Sequence, residues 1–188
     1  MFIMPWIETI SESEADEQLK KMYMKLIEKR GKIANILKIQ SLLPETIEDH
    51  LQLYMHIMFN RSSLRREDKE LIAVFVSSLN NCKYCIHHHA EALNVYWKDK
   101  EKLQDFLETV NTDILSEKQK AMLKYAEKLT HHPDRVKKED IDQLRKSGLT
   151  DKEILEVALI VSYFNFVNRM ALGLNVTSTD KEVKGYKY

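Results

Sequence analysis

Residues 71–76, Leu71-Ile72-Ala73-Val74-Phe75-Val76, are apolar on every side of a helix, and such a helix must be surrounded by other elements. A charged, helix-starting run from Ser63 to Glu70 leads into them. Residues 154–167 make the same demand through Ile154, Val157, Ile160, Val161, Phe164 and Val167. Helices rather than strands must meet it, because only four glycines and three prolines punctuate 188 residues of which 44% are hydrophobic. The expectation is an all-α fold in one domain. Amphipathic neighbours from a chain of this size leave part of these segments uncovered, so subunits should cover the rest in a homo-oligomer.

The remaining elements announce themselves by their starts and stops. Ser11-Glu12-Ser13-Glu14 is a capping-box pattern that predicts a helix over 13–30, stopped by Gly31. Pro44 precedes a second amphipathic helix over 45–60, with Ile47, Leu51, Tyr54, Met55 and Met58 on one side. Ser116 opens a helix reaching Leu129, Pro133 to Lys146 holds a shorter one ended by Gly148, and Thr150-Asp151-Lys152-Glu153 caps the longest apolar helix. The organisation reads as an N-terminal helical extension (1–60), a core (61–110), C-terminal helices (111–176) and a polar tail (177–188), frayed or exchanged between subunits. Asp68-Lys69-Glu70-Leu71 matches Asp151-Lys152-Glu153-Ile154, which fits either a decayed internal helical repeat or the shared vocabulary of helix starts.

Chemistry concentrates in one stretch. Asn80-Asn81-Cys82-Lys83-Tyr84-Cys85-Ile86-His87-His88-His89 holds both cysteines and three of the seven histidines. On a helix Cys82, Cys85 and His89 form one stripe. Asn80-Asn81 is turn chemistry at the end of an apolar helix, so a new helix starts there with both cysteines at its first turn. Unpaired N–H groups and the helix dipole favour a thiolate at that place, and an imidazole can accept or supply the proton. His87 and His88 read as solvated positions, and His131-His132 before Pro133 mark a helix end.

Composition narrows the function classes. Lys and Arg number 29, as do Asp and Glu, so no global basic field attracts nucleic acid or anionic lipid. The N-terminus lacks a signal-peptide pattern, and no uninterrupted apolar run approaches the roughly 20 residues that span a bilayer, which predicts a cytoplasmic protein without a membrane partner. In a reducing compartment a lone Cys-x-x-Cys is catalytic, redox-active or metal-binding more often than structural. Zinc held by Cys82, Cys85 and a histidine is disfavoured, because a second Cys-x-x-Cys or a separated His pair is missing. The eight methionines read as core filler.

Glu70 followed after twelve positions by Cys82, then Cys85 and His89, within Ser77-Ser78-Leu79-Asn80-Asn81-Cys82-Lys83-Tyr84-Cys85-Ile86-His87-His88-His89, resembles the core of the alkylhydroperoxidase D family in the carboxymuconolactone decarboxylase-like superfamily. The N-terminal extension and residues 163–171 resemble its peroxidase-related subgroup, so the likeness covers nearly the whole chain. The resemblance implies an all-helical homo-oligomer without a bound cofactor or metal. It also implies thiol-dependent reduction of an organic hydroperoxide, with Cys85 peroxidatic, Cys82 resolving and proton-donating, His89 the proton relay and Glu70 its distal partner. An external dithiol, such as a lipoyl-bearing protein, would reduce the disulfide. Tyr84 stands where the best-known members have a histidine, and its high ordinary pKa makes it a poor base near neutrality.

Those assignments constrain the backbone. On one continuous helix Glu70 would lie about 18 Å from Cys82, beyond proton-transfer range. If the chain turns back at Asn80-Asn81, Glu70 and His89 come to similar depths, roughly 15 Å and 10 to 12 Å from the turn. Glu70 otherwise reads as a first-turn acid favoured by the helix dipole. The same cysteines also suit a dithiol redox sensor, a scaffold that keeps them by ancestry, or a decarboxylase-like enzyme, although decarboxylation needs no redox pair.

Overall fold

The computed structural model of the chain describes residues 4–183. The chain is all-α, with no strand among the described residues. In order it forms α1 (Glu17–Arg30), α2 (Asn35–Lys38), α3 (Pro44–Phe59), α4 (Arg66–Leu79), α5 (Lys83–Trp97), α6 (Lys100–Thr109), α7 (Glu117–His131), a 3₁₀ turn (Pro133–Arg135), α8 (Lys138–Lys146), α9 (Asp151–Gly173) and α10 (Asp180–Val183). The centre is α4, packed against α5, α7 and α9.

The all-round apolar segment explains this arrangement. Every residue from Asp68 to Ser77 is buried, and Leu71, Ile72, Ala73, Val74 and Val76 are 0% exposed. Leu93 of α5, Met122 of α7, and Val157, Ile160 and Phe164 of α9 complete the same core. Each such Leu, Ile or Phe contributes about 1.5–3 kcal/mol by leaving water. A smaller core joins α1 to α3 through Leu19, Tyr23, Leu26, Leu37, Ile47 and Leu51. One chain therefore covers residues 71–76 unaided. On α9 an apolar stripe of Leu155, Leu159 and Phe166 stays uncovered, at 59%, 42% and 48% exposure.

Local chemistry sets the boundaries. At Ser116 and Thr150 the side chain accepts the third amide of the helix while Gln119 or Glu153 reaches back, a full capping box in each case. Ser11 and Glu14 pair with one another but close only a turn, and the helix starts at Glu17 with Asp16 as its cap. The stretch after His131 is divided. His132 leaves the helical conformation before Pro133 (φ −141°, ψ 60°), Pro133–Arg135 form the 3₁₀ turn, and helix resumes at Lys138.

Two further points concern α9 and the tail. By length and apolarity α9 is the one helix among the described residues that could cross a membrane, because a few polar residues do not outweigh its Val, Ile and Phe content. In the fold it packs on α3, α4, α5, α7 and α8. It also runs unbroken past the point that corresponds to the end of α4, where the α4–α5 segment turns. The tail is not frayed over residues 177–183. Asn35 Nδ2 donates to the Thr177 carbonyl, Lys32 Nζ donates to the Glu182 carbonyl, and α10 packs on α5. Polar residues are retained there because their partners are polar. Residues 184–188 lie outside the described residues.

Candidate functional site

The site begins where α4 stops. Asn81 takes a left-handed backbone (φ 55°), and the Cys82 N–H donates to the Ser77 carbonyl at 2.9 Å, closing the helix end with a six-residue loop. Asparagine tolerates this conformation at little cost. Asn80 Nδ2 donates to Asn168 Oδ1 (3.0 Å) and Asn165 Oδ1 (3.1 Å), and Asn168 Nδ2 donates to Ser77 Oγ (3.1 Å). These bonds lock the turn to α9, and α5 then runs back along α4.

Cys82 caps α5 and Cys85 lies in its first turn, both buried, with the sulfurs 3.1 Å apart and unbridged. The Cys85 sulfur lowers the pKa of Cys82 below the ordinary thiol value despite burial, aided by the backbone N–H groups of Cys85 and Tyr84 and by Asn168. The same contact, then burial, pushes Cys85 well above it. Cys82 is therefore the more acidic thiol of the pair and Cys85 the less acidic. Exposure to a ligand runs the other way, since Cys85 forms part of a cavity wall.

Glu70 and His89 face each other across the α4–α5 hairpin. Glu70, 0% exposed, accepts from His89 Nδ1 at 2.7 Å and from Arg66 Nε and Nη2 at 2.8 and 2.5 Å. Burial alone would raise its pKa, but His89 and then Arg66 outweigh it and hold the carboxyl below its usual range. Arg66 is fixed by the Met58 carbonyl and lies over the Phe59 ring, 3.7 Å from its centre. Donation from Nδ1 leaves the lone pair of His89 on Nε2. The ring packs edge-on against Phe164 and borders the same cavity as Cys85.

The cavity, about 90 Å³, lies between α2, α3, α5 and α9. Its walls include Ile36, Leu51, Tyr54, Tyr163, Phe164 and Val167, while Arg30, Lys32 and His88 bring basic groups to it. Several of these residues carry no readable signal in the sequence. His50 is buried, contacts Gln40 and Tyr163 at 2.7 Å each, and is held neutral by burial that lowers its pKa to about 4. Burial, then Tyr54 and Cys85, raises Tyr163 well above the ordinary phenol value. Only its place in residues 163–171 marked Tyr163 in advance.

One expectation near the cysteines is corrected. His88 is not solvated, because its Nε2 contacts Glu182 Oε2 at 2.5 Å once α10 folds onto α5. His87, by contrast, is exposed, and its Nδ1 contacts Ser178 Oγ at 3.2 Å. Tyr84 points to the same clip, accepting from the Ile36 N–H at 3.2 Å and donating to Glu182 Oε1 at 3.0 Å. Among the described residues no group of three or more His, Cys, Asp or Glu side chains is arranged to hold a metal ion.

Known proteins share this architecture. A peroxidase-related protein from Ralstonia eutropha JMP134, described as an alkylhydroperoxidase AhpD core, superposes with a TM-score of 0.85 at 21% identity, covering 97% of this chain and 96% of that one. A peroxidase-related protein from Silicibacter sp. TM1040 gives 0.83 at 26% identity, covering 97% and 98%. The debrominase Bmp8 gives 0.76 at 20% identity, covering 95% and 98%. The profile of the PA26 p53-induced protein (sestrin) family matches residues 2–185. The chain thus belongs to the PA26 p53-induced protein (sestrin) family and has the alkylhydroperoxidase D-like helical fold.

Proposed function

We propose that this protein is a thiol-dependent peroxidase that reduces organic hydroperoxides through a Cys82–Cys85 sulfenic acid and disulfide cycle. The observation that carries the reading is the pair of sulfurs 3.1 Å apart at the start of α5, with Cys85 on the cavity wall beside His89. The peroxidase-related solved structures support the general role.

In this reading the Cys82 thiolate takes the proton of Cys85. The Cys85 sulfur then bonds to the terminal peroxide oxygen, the O–O bond breaks, and its electron pair leaves on the alkoxide. His89, loaded with a proton from solvent and oriented by Glu70, gives that proton to the alkoxide, which departs as the alcohol. The Cys82 sulfur attacks the Cys85 sulfenic acid, its proton and the sulfenic hydroxyl leave as water, and a disulfide remains. An external dithiol, with a lipoyl-bearing protein as the candidate class, restores the two thiols and is itself oxidised to a disulfide.

Steady-state assay with cumene hydroperoxide and dihydrolipoamide tests the activity: alcohol formation at one equivalent per dithiol consumed supports it, and absence of turnover contradicts it. A second reading, thiol-dependent dehalogenation of a small aromatic, is favoured by the aromatic rings of Tyr54, Tyr163 and Phe164 around Cys85. It replaces carbon–bromine by carbon–hydrogen, releases HBr and leaves the same disulfide. Bromide release from a brominated pyrrole would favour it.

A further inference from the structure

Three residues far apart in sequence form a hydrogen-bond chain ending at the cavity. Gln40 Nε2 donates to the Ile36 carbonyl at 2.8 Å and contacts His50 Nδ1 at 2.7 Å. An amide nitrogen only donates, so Nδ1 is the acceptor, and reversing the amide would set two carbonyl oxygens against each other at Ile36. The neutral imidazole then carries its hydrogen on Nε2 and donates it to the phenolic oxygen of Tyr163, 2.7 Å away. The Tyr163 O–H hydrogen is left over. Among the described residues no acceptor within hydrogen-bond distance takes it, although the side chain is buried, 7% exposed, and borders the cavity with Cys85 and His89. A buried donor without a partner is costly, and a bound oxygen atom would satisfy it.

We propose that Tyr163 is a substrate-binding residue whose hydroxyl donates to the peroxide oxygen that becomes the alkoxide, with Gln40 and His50 as positioning residues. This assignment rests on the peroxidase reading of the same site. Attack by Cys85 moves an electron pair onto that oxygen, so the hydrogen bond strengthens as the O–O bond breaks and lowers the barrier. The burial that keeps Tyr163 a phenol also keeps it a donor rather than an acid, which leaves proton delivery to His89. The apolar walls on either side favour an alkyl or aryl hydroperoxide over hydrogen peroxide.

The test is single-turnover oxidation of reduced protein by cumene hydroperoxide, quenched and followed by mass spectrometry, with iodoacetamide alkylation of Cys85 measured in parallel. Tyr163→Phe should oxidise about 100-fold more slowly, the usual loss for one such donor, while alkylation stays within about twofold of wild type. Equal oxidation rates for the two proteins, or an equal fall in alkylation, would overturn the assignment of Tyr163 while leaving the peroxidase reading standing. A wild-type protein that hydroperoxide does not oxidise overturns that reading, and this one with it. Should Tyr163→Phe fail to fold, the His50 pair decides. His50→Gln, which can still donate to the phenol, should recover most of the rate that His50→Leu loses, and equal rates would overturn the proposal.

Discussion

Glu70 Oε2 accepts a hydrogen bond from His89 Nδ1 at 2.7 Å, joining residues nineteen positions apart because α4 ends in a left-handed asparagine and α5 doubles back. The carboxylate fixes the ring orientation and leaves Nε2 outside the pair.

His89→Ala should slow hydroperoxide-dependent oxidation about 10²- to 10⁴-fold, the usual contribution of a proton relay. His88→Ala should have a smaller effect, since His88 pairs with Glu182 rather than Glu70. Stopped-flow oxidation of both variants makes the comparison, and equal small effects would remove His89 from the mechanism.

Glu70→Gln leaves Arg66 buried beside a neutral amide. Breaking a buried pair in this way costs about 3–5 kcal/mol, so urea unfolding should show a loss of that order together with slower oxidation. A variant as stable as wild type would mean that the Arg66 contact contributes little.

His50 predicts an acid limb. Its folded-state pKa, about 4, lies below the ordinary 6.5, so between those values the unfolded chain binds a proton that the folded chain does not. Its contribution, about 3 kcal/mol, is present above pH 6.5 and lost as pH falls toward 4. Denaturant titrations should show stability declining across this window in wild type and a flatter profile in His50→Gln. Identical profiles would contradict the assignment.

The stripe of Leu155, Leu159 and Phe166 on α9 predicts self-association through that face. Sedimentation equilibrium should find an oligomer at micromolar concentration that Phe166→Glu weakens, and a wild-type monomer would contradict it.

The sequence was most readable where partners are close along the chain. Full capping boxes mark Thr150 and Ser116, and the paired asparagines mark the turn before Cys82, because each is a local contest for backbone hydrogen bonds. The same vocabulary misleads at Ser11, whose bond to Glu14 closes a turn instead of starting a helix. Beyond the Glu70–His89 pair, which the family resemblance and the turn at Asn80-Asn81 brought together, partners set by the fold were not readable. His50 meets Tyr163 across 113 positions and Asn168 meets Ser77 across 91, and neither spacing has a local signature. The Glu182 clip was hidden for the same reason, since a polar tail looks solvated until its partners on α2 and α5 are known.

Peptide mapping by mass spectrometry after one equivalent of cumene hydroperoxide is the most direct test of the central claim. The account predicts loss of two hydrogens from the peptide holding Cys82 and Cys85, with one alcohol formed. Cys82→Ser should instead trap sulfenic acid on Cys85 and pass to sulfinic acid with excess peroxide, while Cys85→Ser stays unoxidised. An unchanged wild-type peptide, or sulfinic acid on Cys85 with no disulfide at any time, would contradict the cycle.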